Sequence, residues 1–302
     1  MLCCAWLCGA PLAAGQTPAS SAPGGLRRTR LYVMATSAVF GRVNRNDARA
    51  AAQSLFEIVA RRKGFELDSR MDVVDSVAEI RARLESRSVD LVGLCVREYL
   101  ELESAGLLVP ALAHGIGPQG RTLYSYVLVV NPASAAASLG GLRGKSLLVF
   151  SRDGSNTGGA WMGVSLGKEK LGRAAAFFAS VKATDTGQAC ILPVFFGSAD
   201  ACVVDEIDLS MAQEMNPQLN RLRVVARSRP LAEHLIATPV EPHPYRKELI
   251  DAMLTLNQDV RGRQLLMVMK CDRMTAIQPA DLDSARELWR DYARLGAAPN
   301  RD

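Results

Sequence analysis

Residues 146–159, SLLVFSRDGSNTGG, leave the chain few choices of fold. Leu147 to Phe150 read as a buried strand, and the Gly/Ser/Thr loop behind them runs into a helix that begins near Gly158. A strand–loop–helix turn of this composition belongs to α/β architecture, whose ligands sit at the carboxyl ends of strands. The loop directs backbone N–H groups and small hydroxyls at one spot, with a helix dipole behind them. That arrangement favours an anion, above all a tetrahedral oxyanion. Ser, Asn and Thr are also ordinary helix N-caps, so the meaning of the loop depends on what the rest of the chain puts around it.

The rest of the chain alternates in the same way. Leu31 to Thr36 predict a strand, and residues 46–63 carry Ala50, Leu55, Ile58 and Val59 at helical spacing before Gly64. Ser76-Val77-Ala78-Glu79 predicts a capped helix start, and Val89 to Cys95 a Leu/Val-rich strand. Further strands are predicted at residues 124–130, 147–150, 199–205, 222–227 and 235–238, with helices at 186–196, 244–260 and 279–295. The expectation is an α/β protein of two lobes, each a mainly parallel sheet flanked by helices, joined by a two-strand hinge. Residues 29–122 plus 225–302 form the first lobe in this reading and residues 123–224 the second, with the anion loop facing the cleft between them.

Composition agrees with two ordinary cores: the chain has 302 residues, 48% of them hydrophobic. The formal net charge is only +5, with no basic arm and no aromatic–basic interleaving, which argues against nucleic-acid binding. Residues 1–16, MLCCAWLCGAPLAAGQ, read as a secretory signal truncated before its basic n-region, and residues 17–28 as a flexible linker. Three of the seven cysteines fall in that leader. Cys95, Cys190, Cys202 and Cys271 show no metal-ligand spacing, and sequence leaves any disulfide pairing among them open.

Catalytic patterns are weak. His114 to Gly120 contain a formal GxGxxG without the strand–helix context a dinucleotide needs, and Gly140 to Ser146 fall one residue short of a P-loop. His114 and His243 are expected in Pro/Gly-rich loops and His234 at the start of a strand, none with an identifiable partner. Asp205-Glu206 at a strand end is a carboxylate pair with neither nucleophile nor metal beside it, so no enzyme activity and no cofactor are expected.

Several short segments follow one another in a recognisable order: Ser88 to Gly93 followed by Tyr99-Leu100, Tyr124-Ser125, Leu142 to Lys145, Asp153 to Gly158, Gly197 to Ala201 and Val224 to Pro230. In that order they resemble the phosphate/phosphite/phosphonate-type (PhnD-like) solute-binding proteins of ABC importers, of the type 2 periplasmic-binding fold. Residues 155–158 match that family's Ser-x-Ser/Thr-Gly. The resemblance implies that Ser155, Asn156, Thr157 and Gly158 hold the ligand's oxyanion. It makes Tyr124 a hinge-strand phenol and Asp205 a cleft-facing acid; Thr36 and Ser37 line the cleft on topology. Two positions depart from the family pattern. Ser76 stands where phosphonate binders carry a Tyr, and Gly187 where they carry a His heading a helix, so the resemblance does not specify the ligand.

The expected protein is a monomeric, exported, periplasmic one that closes on a small phosphate- or phosphonate-like oxyanion. Its membrane partner is an ABC permease, or alternatively a sensor kinase. An enzyme on the same fold, or an interaction protein that has lost its small ligand, is the alternative.

Overall fold

The computed structural model describes residues 26–40, 44–117, 119–151, 156–241, 243–258 and 260–296. The leader at 1–16 and most of the linker at 17–28 lie outside them. The chain runs β1 (Arg27–Thr36), α1 (Arg45–Arg62), β2 (Phe65–Val74), α2 (Val77–Glu85), β3 (Leu91–Cys95), α3 (Val96–Glu103) and β4 (Leu108–Gly115). It continues through β5 (Tyr126–Val130), β6 (Ser146–Phe150), α4 (Thr157–Lys168), α5 (Ala174–Phe177), β7 (Ser180–Thr184), α6 (Gly187–Phe195), β8 (Ala201–Asp205), α7 (Glu206–Met215) and β9 (Arg223–Arg227). It ends with β10 (His234–Pro239), α8 (Arg246–Met253), α9 (Val260–Val268), β11 (Arg273–Ala276) and α10 (Asp283–Arg294).

Two sheets result: a six-stranded one ordered β11-β4-β10-β3-β1-β2 and a five-stranded one ordered β7-β6-β8-β5-β9. In the first, β1 runs parallel to β2 and β3, while β10 is antiparallel to β3 and β4, and β11 to β4. In the second, β6 is parallel to β7 and β8, while β5 is antiparallel to β8 and β9. Both sheets are thus mixed. Most strands share one direction, as expected of a chain fed by helical crossovers; β5 and β10 are reversed, each entering its sheet from the other lobe, and so is the edge strand β11. The chain leaves the first sheet after β4 and returns after β9. β9 stays paired with β5 through Arg227, so the junction expected at 224/225 falls inside a strand. Similarly, Arg27 and Arg28, expected in the linker, already pair with β2.

Other differences have local causes. The helix expected over 244–260 is shorter: α8 ends at Met253, a 3-10 turn follows at Leu256–Gln258, and a separate helix, α9, begins at Val260. Leu249, Met253 and Leu256 are all buried, so helical spacing carries on across the turn. A Cβ on Gly262 would stand 1.9 Å from the Leu256 carbonyl oxygen, a close approach that only glycine permits. His114, expected in a loop, is in β4 and 5% exposed.

One buried cluster joins the two lobes. It holds Val92 and Leu94 of β3, Tyr126 and Leu128 of β5, Val203 of β8, Leu235 of β10 and Leu288 of α10. A second cluster fills the space between α1, α8, α9 and the other face of the first sheet, and a third lies between α6, α7 and the second sheet.

Candidate ligand-binding cleft

The two crossings bring matching edges of the sheets together. β4 ends at Gly115, and β5 begins at Tyr126, in register with Asp205 at the end of β8. On the return, β9 ends at Arg227 and β10 begins at His234, in register with Cys95 at the end of β3. The crossing segments pair with each other through Tyr124 N to Leu231 O (3.1 Å) and Leu231 N to Tyr124 O (3.0 Å). The carboxyl ends of β1 and β3 in one lobe therefore face those of β6 and β8 in the other, with the crossings as the floor.

At the end of β6 the chain turns into α4. Asn156 is its N-cap, with left-handed backbone (φ 56°), and its side-chain oxygen accepts from Gly159 N. Thr157, the first helical residue, is fully buried. Gly158 N donates to Ser151 Oγ at 3.0 Å. A Cβ on Gly158 would meet Phe150 O and Tyr126 Cε1 at 3.0 Å each and Ser151 Oγ at 3.1 Å, so the helix starts hard against the strand and the Tyr126 ring. Ser155 lies outside the described residues.

Asp205 is fully buried and caps α7, its Oδ1 accepting from Asp208 N at 2.8 Å. Tyr124 packs with Ile116 and Ile207 in a small apolar cluster at the crossing. Across the cleft, Thr36 is buried and donates to Glu98 Oε2 at 2.5 Å, and the same oxygen accepts from Cys95 N at 3.0 Å. Ser37 opens a 3-10 turn, and hydrogen bonds from its hydroxyl and from Arg45 hold the Asp75 carboxyl below the usual carboxylate range. The structure thus gathers Asn156, Thr157, Gly158 and Asp205 at one lobe's strand ends, Thr36 and Ser37 at the other's, and Tyr124 between them.

Sequence reasoning missed three residues here. Ser151 supplies a hydroxyl directly under the start of α4. The Tyr126 phenol donates to Glu233 Oε1, linking a second-lobe strand to the residue before β10. Glu233 is 1% exposed, and its carbonyl accepts from Val96 N at 2.6 Å, so it anchors the head of α3 as well. No motif announces these residues, because their partners lie 7 and 107 residues away in the chain.

Glu206 and the histidines each have a place in the packing. Glu206 accepts from Ser125 N at 3.2 Å and pairs with Arg227 and, at 3.8 Å, Arg121; it ties the two crossings to α7. His114 stacks on His234 with ring centroids 5.1 Å apart, and burial pulls its imidazole down to about 4. His243 bonds Arg30 O at 2.9 Å on the outer surface. Among the described residues no group of three or more His, Cys, Asp or Glu could hold a metal ion.

The departures have structural roles of their own. Ser76 caps α2, its Oγ accepting from Ala78 N at 3.1 Å. Gly187 sits so close to α7 that a Cβ would stand 2.8 Å from Asp208 Cβ, which leaves no room for a side chain there.

Two mixed sheets flanked by helices, with a double crossing and a cleft at the strand ends, define a two-lobed protein of the type 2 periplasmic-binding fold. The family model described as "ABC transporter, phosphonate, periplasmic substrate-binding protein" matches residues 38–283, and the chain belongs to that family. A search of curated proteins found no match. Among solved structures, the chain is similar in fold to XAC2383 from Xanthomonas citri bound to chloride ion, with 16% identity, 88% of this chain and 98% of that one covered, and TM-score 0.62. It is similar also to PhnD1 from Prochlorococcus marinus in complex with methylphosphonate, with 15% identity, 88% and 98% covered, and TM-score 0.55. A third is a binding protein component of an ABC phosphonate transporter from Pseudomonas aeruginosa, with 13% identity, 90% and 89% covered, and TM-score 0.54.

Proposed function

We propose that this protein is an exported, periplasmic solute-binding protein that closes on a small phosphorus oxyanion and delivers it to an ABC permease, without chemical conversion of the ligand. The observation that carries this reading is the head of α4. Ser151 Oγ already accepts from Gly158 N, and a hydroxyl in that place can also donate to an anion; Thr157 stands first in the helix, and the helix dipole lies behind both. Asn156 and Ser155 complete the donor set, with Gly158 as the close-packed pivot. Tyr124 and Asp205 line the floor, and Thr36 and Ser37 come from the opposite lobe. Closure is a hinge motion about the paired crossings, which brings both halves onto one ligand. The methylphosphonate complex of PhnD1 supports phosphonate-type chemistry.

The residues at Ser76 and Gly187 favour a ligand held by its oxyanion end alone. Taken to the limit, they favour a second reading, an interaction protein that keeps the fold without a small ligand. Among the described residues no helix is long and apolar enough to cross a membrane. In this reading the output goes to a permease or to a sensor kinase in the membrane.

Calorimetry with methylphosphonate, phosphite and phosphate on ligand-stripped monomer tests this. Heat of binding is expected for at least one, and Thr157→Val weakens it at least tenfold, from about 1.5–3 kcal/mol for a hydrogen bond to a charged group. Unchanged affinity in that variant overturns the loop assignment. Silence across the panel favours the second reading, and turnover of any ligand overturns both.

A further inference from the structure

Away from the cleft, a cavity of about 570 Å³ runs along edge strand β2 beneath α2. That volume lies in the range of small-molecule sites, about 300–1,000 Å³. Its walls carry Arg45, Arg49, Arg70 and Arg83 around the ring of Tyr32, with two acids, Asp72 and Glu79, among them. The guanidinium carbon of Arg70 lies 4.7 Å from the Tyr32 ring centroid and that of Arg83 6.0 Å. Asp72 fixes the wall, accepting from Tyr32 OH at 2.6 Å and from Arg70 Nε and Nη2 at 3.1 and 2.8 Å. Arg45 is held by Asp75. Among the described residues Arg49 bonds the side-chain oxygen of Asn46 at 3.1 Å and attracts the Asp72 carboxylate without an ion pair to it, and neither Arg49 nor Arg83 forms an ion pair.

An arginine stacked on an aromatic face is held there without spending its in-plane N–H donors, which stay available to an oxyanion. α1 supplies Arg49 from one side and α2 supplies Arg83 from the other, so a ligand with two anionic groups meets both forks. Arginine forks match phosphate oxygens in pairs. We propose that this groove is a second binding site, for a small ligand carrying a diphosphate or two phosphate groups. It shares no residue with the cleft at α4, so it stands or falls apart from the function proposed above.

Inorganic pyrophosphate, titrated by calorimetry into the full chain at 150 mM salt, tests the site. We expect binding to the wild type and to Thr157→Val, and at least tenfold weaker binding to Arg49→Gln/Arg83→Gln. Both arginines are exposed, so that variant folds, and a circular-dichroism melt matching the wild type documents it. No binding to the wild type at millimolar pyrophosphate overturns the proposal. So does equal affinity in the double variant, or loss of binding in Thr157→Val with the arginine variant unaffected, which moves the ligand to the cleft.

Discussion

Gly158 illustrates how much one position carries. In an exposed helix, adding a side chain to glycine is favourable by up to about 1 kcal/mol. Here the added atoms meet a strand carbonyl, a buried aromatic ring and the Ser151 hydroxyl at 3.0–3.1 Å. Gly158→Val is therefore expected to cost about 2–3 kcal/mol, read as a lower urea midpoint with unchanged slope. The sequence marked this glycine as part of a loop motif; only the packed structure shows that its job is to let α4 touch β6 and Tyr126. His114 is the opposite case, a residue whose sequence context of glycines and a proline suggested solvent. Its folded imidazole stays neutral down to about 4, against an ordinary value of 6.5 for the unfolded chain. Between those values the unfolded state takes up a proton that the native state refuses, so native stability falls as pH drops from 6.5 towards 4. The contribution is about 3 kcal/mol for a gap of this size. Urea unfolding at pH 7.5 and 4.5 should show a smaller loss in His114→Asn than in the wild type.

Among the elements, α10 is the one whose role exceeds its sequence pattern. Its apolar face is clear in the sequence, but nothing there says that it lies across both lobes. On the first-lobe side Arg286 grips Glu103 of α3 with Nη2–Oε1 at 2.5 Å and Nε–Oε2 at 2.9 Å, and Tyr99 OH reaches the same carboxylate at 2.9 Å. Those bonds hold the Glu103 carboxyl below its usual range, the Arg286 guanidinium first among the causes. On the second-lobe side Lys168 of α4 bonds Asp291 at 3.1 Å, and a Cβ on Gly163 would stand 3.2 Å from the Tyr292 ring. Arg286→Met should cost about 1–3 kcal/mol and speed amide exchange along α10 before it does so in the sheets. For α1, the helix was legible but its buried face only in part: Val59 points inward as expected, while Ile58 is half-buried. The inward residues are Ala48, Ala52, Phe56 and Val59, while Ala50 is exposed. A helix this rich in alanine carries little contrast between faces, so packing against β2 chose the side.

In the whole molecule, the two lobes are held together by a continuous core, by paired crossings and by α10. The strands at 31–36, 147–150, 199–205 and 222–227 and the helix starts at Ser76 and near Gly158 were legible because each rests on local chemistry: apolar runs, caps and turn residues within a few positions. The family was legible because many weak segments came in one order. The cleft was legible as an expectation at the head of α4, since a strand–loop–helix turn is a local object. Tyr126 with Glu233, the burial of His114, the collision that keeps Gly187 bare and the arginine groove were not, since each joins separate segments of the chain; nor was Ser151 under Gly158, since no motif pairs that hydroxyl with the helix start. The sequence by itself determined the alternation of strands and helices and thereby an α/β protein with a strand–loop–helix segment at residues 146–159. The tertiary structure alone decided which buried polar groups meet across the crossings and which side chains have room, because hydrogen bonds and steric exclusion act through space between segments whose local propensities are silent about one another.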